Sequence, residues 1–142
     1  MNGGFIFSQA TLPFLLKGVE QKSQHPPSLI FTGATASVKA NALVSVFASG
    51  KWALRALSQS LAKEFGPQGV HVSHAIIDGV INIPRTKEWL KELGPEAKLS
   101  AEGVCVLVLS TAIPAGRGLT KVDCERLLVA SYSAENELYM GD

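Results

Sequence analysis

The stretch from Ser28 to Pro84 constrains this chain more than any other part of it. It begins with an apolar run, Leu29–Phe31, set off by Pro26-Pro27 on one side and Gly33 on the other, and such a run reads as a short strand. A helix is expected from about Val44 to Phe65, because Phe47, Leu54, Leu57, Leu61 and Phe65 recur at steps of seven, three, four and four and so share one face. Gly66-Pro67 should end it, with glycine taking a left-handed cap and proline unable to extend the ladder. Val70–Ile77 is a second apolar strand. Two strands joined by a helix of this length make a parallel βαβ unit with a right-handed crossover, and the fold class is α/β.

The segments around this unit are less regular. Phe5–Gly18 is an apolar helix carrying Pro13, and its face with Phe5, Leu12, Leu15 and Leu16 should pack on the sheet or on a partner. Thr32–Leu43 and Gly79–Lys87 are loops following the two strands, placed where an open α/β sheet holds ligands. Thr86–Leu93 suits a short helix, and Ser100-Ala101-Glu102 starts another. From Cys105 on, CVLVLST suits a strand, AIPAGRG a turn, and LTKVDCERLLVA shows loose helical spacing.

The totals exclude several function classes. A chain of 142 residues with 46% hydrophobic content can bury one real core, which argues against general disorder. Thirteen basic and twelve acidic residues, spread along the chain, leave a formal charge of +1 and no footprint for nucleic acid. No apolar run approaches the roughly 18 residues that cross a bilayer. Cys105 and Cys124 make no disulfide framework, so a reduced, cytoplasmic setting is the default. His71 and His74 lie three apart on a strand, point to opposite faces and cannot share a metal. Gly116-Arg117-Gly118 lacks the remaining positions of a phosphate loop.

The order LIFTGATAS, then FASGK opening a long helix, then GVHVSHAIIDG, resembles the second half of a short-chain dehydrogenase/reductase. NGGFIFSQATLPFLLKG resembles the helix before that family's fifth strand. The resemblance covers residues 2 to 104 and implies a partial Rossmann-like, doubly wound parallel sheet lacking the N-terminal cofactor-binding βαβ units, followed by a divergent tail over 105–142. A shifted reading frame or an alternative exon is one expected origin of that tail.

The resemblance also implies a chemistry. In this family a Tyr exchanges a proton with the substrate oxygen while hydride moves to or from a nicotinamide. A Lys four residues later lowers the Tyr pKa and holds the nicotinamide ribose, and a Ser about thirteen residues earlier orients the carbonyl. Lys51 matches the Lys, but the Tyr position holds Phe47 and the Ser position Ala34, and neither side chain has a proton to give. Thr35 and Ser37 flank Ala34 as alternative hydroxyls, whereas Ser49 faces away on the helix. Asp78-Gly79 stands where the family has Pro-Gly, and Ile83 where a Thr often holds the nicotinamide amide.

By resemblance the catalytic set is therefore Lys51, Phe47, Ala34 and Thr35, and the set facing NAD or NADP is Lys51, Asp78, Gly79 and Ile83. The glycine-rich turn that anchors the cofactor belongs upstream, so cofactor binding and independent catalysis are expected to be impaired. Each residue has a plainer reading as well. Lys51 suits a solvated helix lysine, Phe47 a core residue and Asp78 a turn residue. The alternative function is an interaction protein that forms homo- or hetero-dimers through helices 5–18 and 44–65, with Trp52, Ala48, Ala56 and Gln59 on another face of the second. If active, the chain would act on a small molecule.

Overall fold

The computed structural model describes residues 2–22, 25–94, 97–111 and 127–131. In chain order the elements are α1 (Asn2–Glu20), β1 (Ser28–Ala34), α2 (Ser45–Phe65), β2 (His71–Ile77), β3 (Val80–Ile81), β4 (Lys98–Leu99), α3 (Ala101–Thr111) and β5 (Leu127–Ser131), with short 3-10 turns at Thr35–Ser37, Gly66–Gln68, Pro84–Thr86 and Lys91–Leu93. The βαβ unit expected from the sequence is present. β1 and β2 pair in parallel from Ser28 opposite His71 to Ala34 opposite Ile77, with α2 as the crossover. β5 adds to the far side of β2 in the antiparallel sense, and β3 and β4 form a separate parallel pair.

The core lies where α1 and α2 meet one face of the β1–β2 pair. Leu12 of α1, Leu29 and Phe31 of β1, Leu61 and Ala62 of α2, and Val70 and Val72 form its buried part, with Leu15, Leu16, Val19, Leu54, Leu57 and Phe65 packed around it. β2 is buried on both faces from Val72 to Ile77, as a central strand in an α/β sheet should be.

Two of the apolar residues assigned to these helix faces lie elsewhere. Phe5 is exposed, because the inward line of α1 runs through Gly4, Ser8 and Leu12, one position away from it. A methyl placed on Gly4 would meet Leu54, Leu57 and Phe31, and the buried Ser8 hydroxyl donates to Gly4 O at 2.7 Å. Phe47 is 53% exposed, so it packs in no core. Ala48, on another face of the helix, is buried, where α2 lies against the Thr35–Ser37 turn.

The end of α2 also differs in detail. Gly66 stays right-handed, and Pro67 sits in the first turn of a 3-10 segment, where its missing N–H costs nothing. The left-handed residue is Gly69, at φ 88°, which turns the chain into β2 with Gly69 N donating to Gly66 O at 2.9 Å. The segment expected as a short helix over Thr86–Leu93 resolves into the two 3-10 turns at Pro84–Thr86 and Lys91–Leu93.

Cys105–Thr111, read as a strand, is the body of α3. An uninterrupted apolar run has no period to separate the two possibilities, and the cap decides. Ser100 Oγ accepts from Gly103 N at 3.2 Å and Val104 N donates to Ser100 O at 3.0 Å, so the helical start at Ser100 carries on through the run. α3 runs without a break from Ala101 to Thr111. Leu127–Ala130, read with loose helical spacing, lies in β5, while 112–126 and 132–142 are outside the described residues, including the Gly116-Arg117-Gly118 motif and Cys124.

Gly33 shows how tightly β1 and β2 are fitted. A methyl there would lie 2.3 Å from His74 Cε1 and 3.0 Å from the Ala75 carbonyl, so the imidazole occupies the space a side chain at 33 would need. Gly33→Ala is expected to destabilise the fold by about 1–3 kcal/mol through overpacking. Urea unfolding of Gly33→Ala, His74→Ser and the double variant checks this. The double variant should be more stable than the sum of the two singles predicts, and strict additivity would refute the fit.

Candidate functional site

The site forms at the carboxyl ends of β1 and β2, where parallel pairing sets two strand ends side by side. The last paired residues are Ala34 and Ile77, so Thr35 and Asp78 leave the sheet as neighbours. Thr35 Oγ1 donates to Asp78 Oδ1 at 2.5 Å, a tie between residues 43 apart in sequence. Asp78 is exposed and Thr35 half-buried.

Lys51 reaches the same edge from α2. Its Nζ donates to the Thr32 carbonyl at 2.8 Å, three residues before Thr35. Burial lowers the Lys51 pKa, since a half-buried ammonium loses part of its hydration. One turn earlier on α2 is Phe47, with the Lys51 ammonium 5.7 Å from its ring centroid, within range of a weak cation–π contact. Lys51 is thus neither remote from the strand ends nor a purely solvated lysine.

The other expected residues fall into place less evenly. Ala34 brings only a methyl, and its N–H donates to Ser37 Oγ at 3.0 Å. That bond turns the fully buried Ser37 hydroxyl inward, so of the two alternative hydroxyls only Thr35 faces the strand ends. Ser49 is exposed and donates to its own helix at Val46 O. Gly79 follows Asp78 and packs against Leu99, whose side chain a methyl at 79 would approach to 3.1 Å. Ile83 offers no side-chain hydrogen bond. Its N–H is taken by Thr86 Oγ1 at 3.1 Å, and that hydroxyl also bonds the carbonyls of Ile81 and Ile83. Ile83 therefore presents no side-chain donor or acceptor, whereas the Lys51 ammonium lies at the strand ends.

Sequence reasoning missed two features. One is the Thr35–Asp78 tie, which was readable once β1 and β2 were set in register, because each residue follows its strand by one position. The other is His74. It is fully buried on the α2 side, opposite Phe31 in the register and against Gly33, and neither ring nitrogen has a hydrogen-bond partner among the described residues. Desolvation, followed by the positive charges of Arg55 and Lys51, pushes its pKa down to about 4 from 6.5. No residue pattern announced this, since a histidine flanked by apolar residues in a strand looks like any other inward position.

The buried neutral histidine makes stability depend on pH. Below 6.5 the unfolded chain takes up a proton that the folded chain refuses until about pH 4, so stability is complete above 6.5 and lost as pH falls through that window. The slope attributable to His74 is expected to reach about 1.4 kcal/mol per pH unit. Chemical unfolding at pH 7, 6 and 5 tests it against His74→Leu. The variant should lose this part of the slope and, freed of an orphaned polar group, gain stability at pH 7. An identical slope in both proteins would contradict the assignment.

The family is settled by comparison with known proteins. A family model described as short chain dehydrogenase matches residues 1–94. Uncharacterized oxidoreductases from two strains of Staphylococcus epidermidis, RP62A and FDA PCI 1200, are each 36% identical over 101 residues, covering 71% of this chain and 40% of their own length. The chain therefore spans about 40% of the length of these curated relatives. A short-chain dehydrogenase structure from Rhodopseudomonas palustris aligns at 33% identity with a TM-score of 0.35, covering 51% of this chain and 36% of that one. With the parallel β1–α2–β2 unit and Lys51 at its strand ends, the match over residues 1–94 makes this chain a member of the short-chain dehydrogenase family.

Proposed function

We propose that the chain is a partial or degenerate NAD(P)-dependent oxidoreductase, with little or no hydride-transfer activity on its own. The observation that carries this reading is the pairing of a retained Lys51 at the strand ends with Phe47 one turn before it. Lys51 would hold the ribose of NAD or NADP, and the nicotinamide supplies the hydride chemistry when bound. A phenyl ring has no proton for the substrate oxygen, and Ala34 offers none either, so the proton half of the reaction lacks both of the family's usual donors. A small-molecule substrate fits the loops after β1 and β2. The exposed thiol of Cys105 is consistent with a reducing, cytoplasmic setting, and among the described residues no helix is long and apolar enough to cross a membrane.

Titration with NADH and NADPH, followed by cofactor fluorescence, tests the cofactor half. Where either cofactor binds, Lys51→Ala should weaken the affinity severalfold. An unchanged affinity would remove Lys51 from the site, and binding of neither cofactor would rule out a working oxidoreductase that draws its hydroxyl from Thr35 or Ser37. Turnover at rates ordinary for an enzyme would overturn the impaired proton step.

A second reading has its own support. α1 leaves Ile6, Phe7 and Phe14 exposed, Phe14 by 72%, and α2 leaves Val46 and Trp52 exposed. Large apolar side chains gathered on two helices suit a homo-dimer, or a hetero-dimer with a full-length relative, through those helices. Phe14→Asp should then lower the association measured by sedimentation and reduce co-purification with a full-length short-chain dehydrogenase. A chain that stays monomeric and co-purifies with no such relative would exclude this reading.

A further inference from the structure

The three-stranded sheet runs β1-β2-β5, so among the described residues β1 pairs on one side only. The register fixes which of its backbone groups lie on the open side. His71 stands opposite Ser28, and its N–H donates to Pro27 O at 2.8 Å. The odd-numbered residues of β1 therefore turn their N–H and C=O toward β2, and the even-numbered residues turn theirs outward.

That outward row is closed at both ends. Pro26 has no N–H, and its carbonyl accepts from Ser28 Oγ at 3.0 Å. At the other end Ala34 N is held by Ser37 Oγ at 3.0 Å. Within the row, the N–H and C=O of Ile30 and the N–H of Thr32 have no hydrogen-bond partner among the described residues. The Thr32 carbonyl is different, because it accepts from Lys51 Nζ at 2.8 Å. Thr32 is exposed and Ile30 half-buried, which leaves these groups within reach of another strand.

We propose that this window is a self-pairing edge for a second copy of the chain, and that Lys51 keeps it shut. A second β1 laid antiparallel about a two-fold axis at Phe31 sets Ile30 opposite the partner's Thr32, and Thr32 opposite the partner's Ile30. Each such pair exchanges two hydrogen bonds, one of which must end on a Thr32 carbonyl. Lys51 already occupies that carbonyl, so half of the bonds are withheld in both copies. The ladder cannot lengthen to make up the loss, since Pro26 and the held Ala34 N bound the window. Moving the axis to Thr32 would call on Ala34 N itself. The same two-fold axis also brings two lysine ammonium groups to one edge, and charge there opposes strand pairing. This guard needs only the amine and the Thr32 carbonyl, so it stands whether or not a nicotinamide binds.

Amide NMR over a range of protein concentrations, without cofactor, reads the edge residue by residue. In the unaltered chain the Ile30 and Thr32 amides should exchange with water severalfold faster than those of Leu29 and Phe31, and should not shift with concentration. Lys51→Met removes the ammonium and keeps most of the stem. It should raise self-association severalfold, with concentration-dependent shifts at Ile30 and Thr32. Adding Thr32→Pro should abolish that association, because it deletes an outward N–H at an exposed position and no bond to β2. Thr32→Lys, which adds a charge to the edge and leaves the backbone intact, should do the same. Far-ultraviolet circular dichroism identifies the variants that stay folded.

Unchanged association in Lys51→Met, or association that survives the folded Thr32 variants, would overturn the proposal. So would association that leaves the Ile30 and Thr32 amides unshifted, the result expected of pairing through α1 and α2. Slow exchange at both amides in the unaltered chain would show the window already covered, and would overturn it as well.

Discussion

Parallel pairing of β1 with β2 is the constraint from which the remaining structure follows. Parallel strands cannot be joined by a tight turn, so the chain must travel back along the sheet, and α2 is that return. Because α2 begins near the strand ends and finishes at their beginnings, the side chains of its first two turns lie over the edge where β1 and β2 stop. Lys51 is placed there by this geometry, and its bond to the Thr32 carbonyl ties the crossover helix back to the strand that it left. The same pairing brings Thr35 and Asp78 together across 43 residues of sequence. A site made in this way depends on strand register above all. A slip by one residue would separate Thr35 from Asp78 and turn His74 from the α2 side to the opposite face.

The strands meet that demand at some cost in polar satisfaction. β2 carries His74 in its buried centre, where a parallel strand is usually aliphatic. His74 fills the gap over Gly33 and so locks the register by shape, yet it leaves both ring nitrogens without hydrogen bonds among the described residues. It also stands near two cations, Lys51 and Arg55, which makes protonation costly and keeps the imidazole neutral. An aliphatic residue of similar volume would remove the polar cost. The histidine therefore contributes packing at a site where charge is held at bay by Lys51 on one side and burial on the other.

How far the sequence discloses this depends on what kind of signal each feature leaves. The strand, helix and strand of the central unit were legible because apolar spacing and glycine or proline breaks mark them directly, to within one residue at the start of α2. Cys105–Thr111 was not legible, since its apolar residues fall on every side and only the serine cap identifies the helix. α1 was misjudged by one position: its inward line passes through Gly4 and Ser8, small residues that carry no hydrophobic signal, and the conspicuous Phe5 lies beside that line. Within the site, Lys51, Phe47 and Ala34 were placed by the family resemblance, whereas the Thr35–Asp78 tie needed two strands laid in register. Distant partners of this kind leave no local pattern.

Phe47 supplies the last step. A phenylalanine that replaces a tyrosine is ordinarily explained by packing, since the ring is kept and only the hydroxyl is lost. That explanation fails here because the ring is 53% exposed and contributes to no core. A large apolar side chain held in water, one helical turn from a partly desolvated lysine, gains little from burial and offers the lysine only a weak cation–π contact. Folding stability therefore does not explain its presence. The helix fixes where the ring stands beside Lys51, and the absent hydroxyl leaves no proton donor at that spot without changing how the scaffold folds.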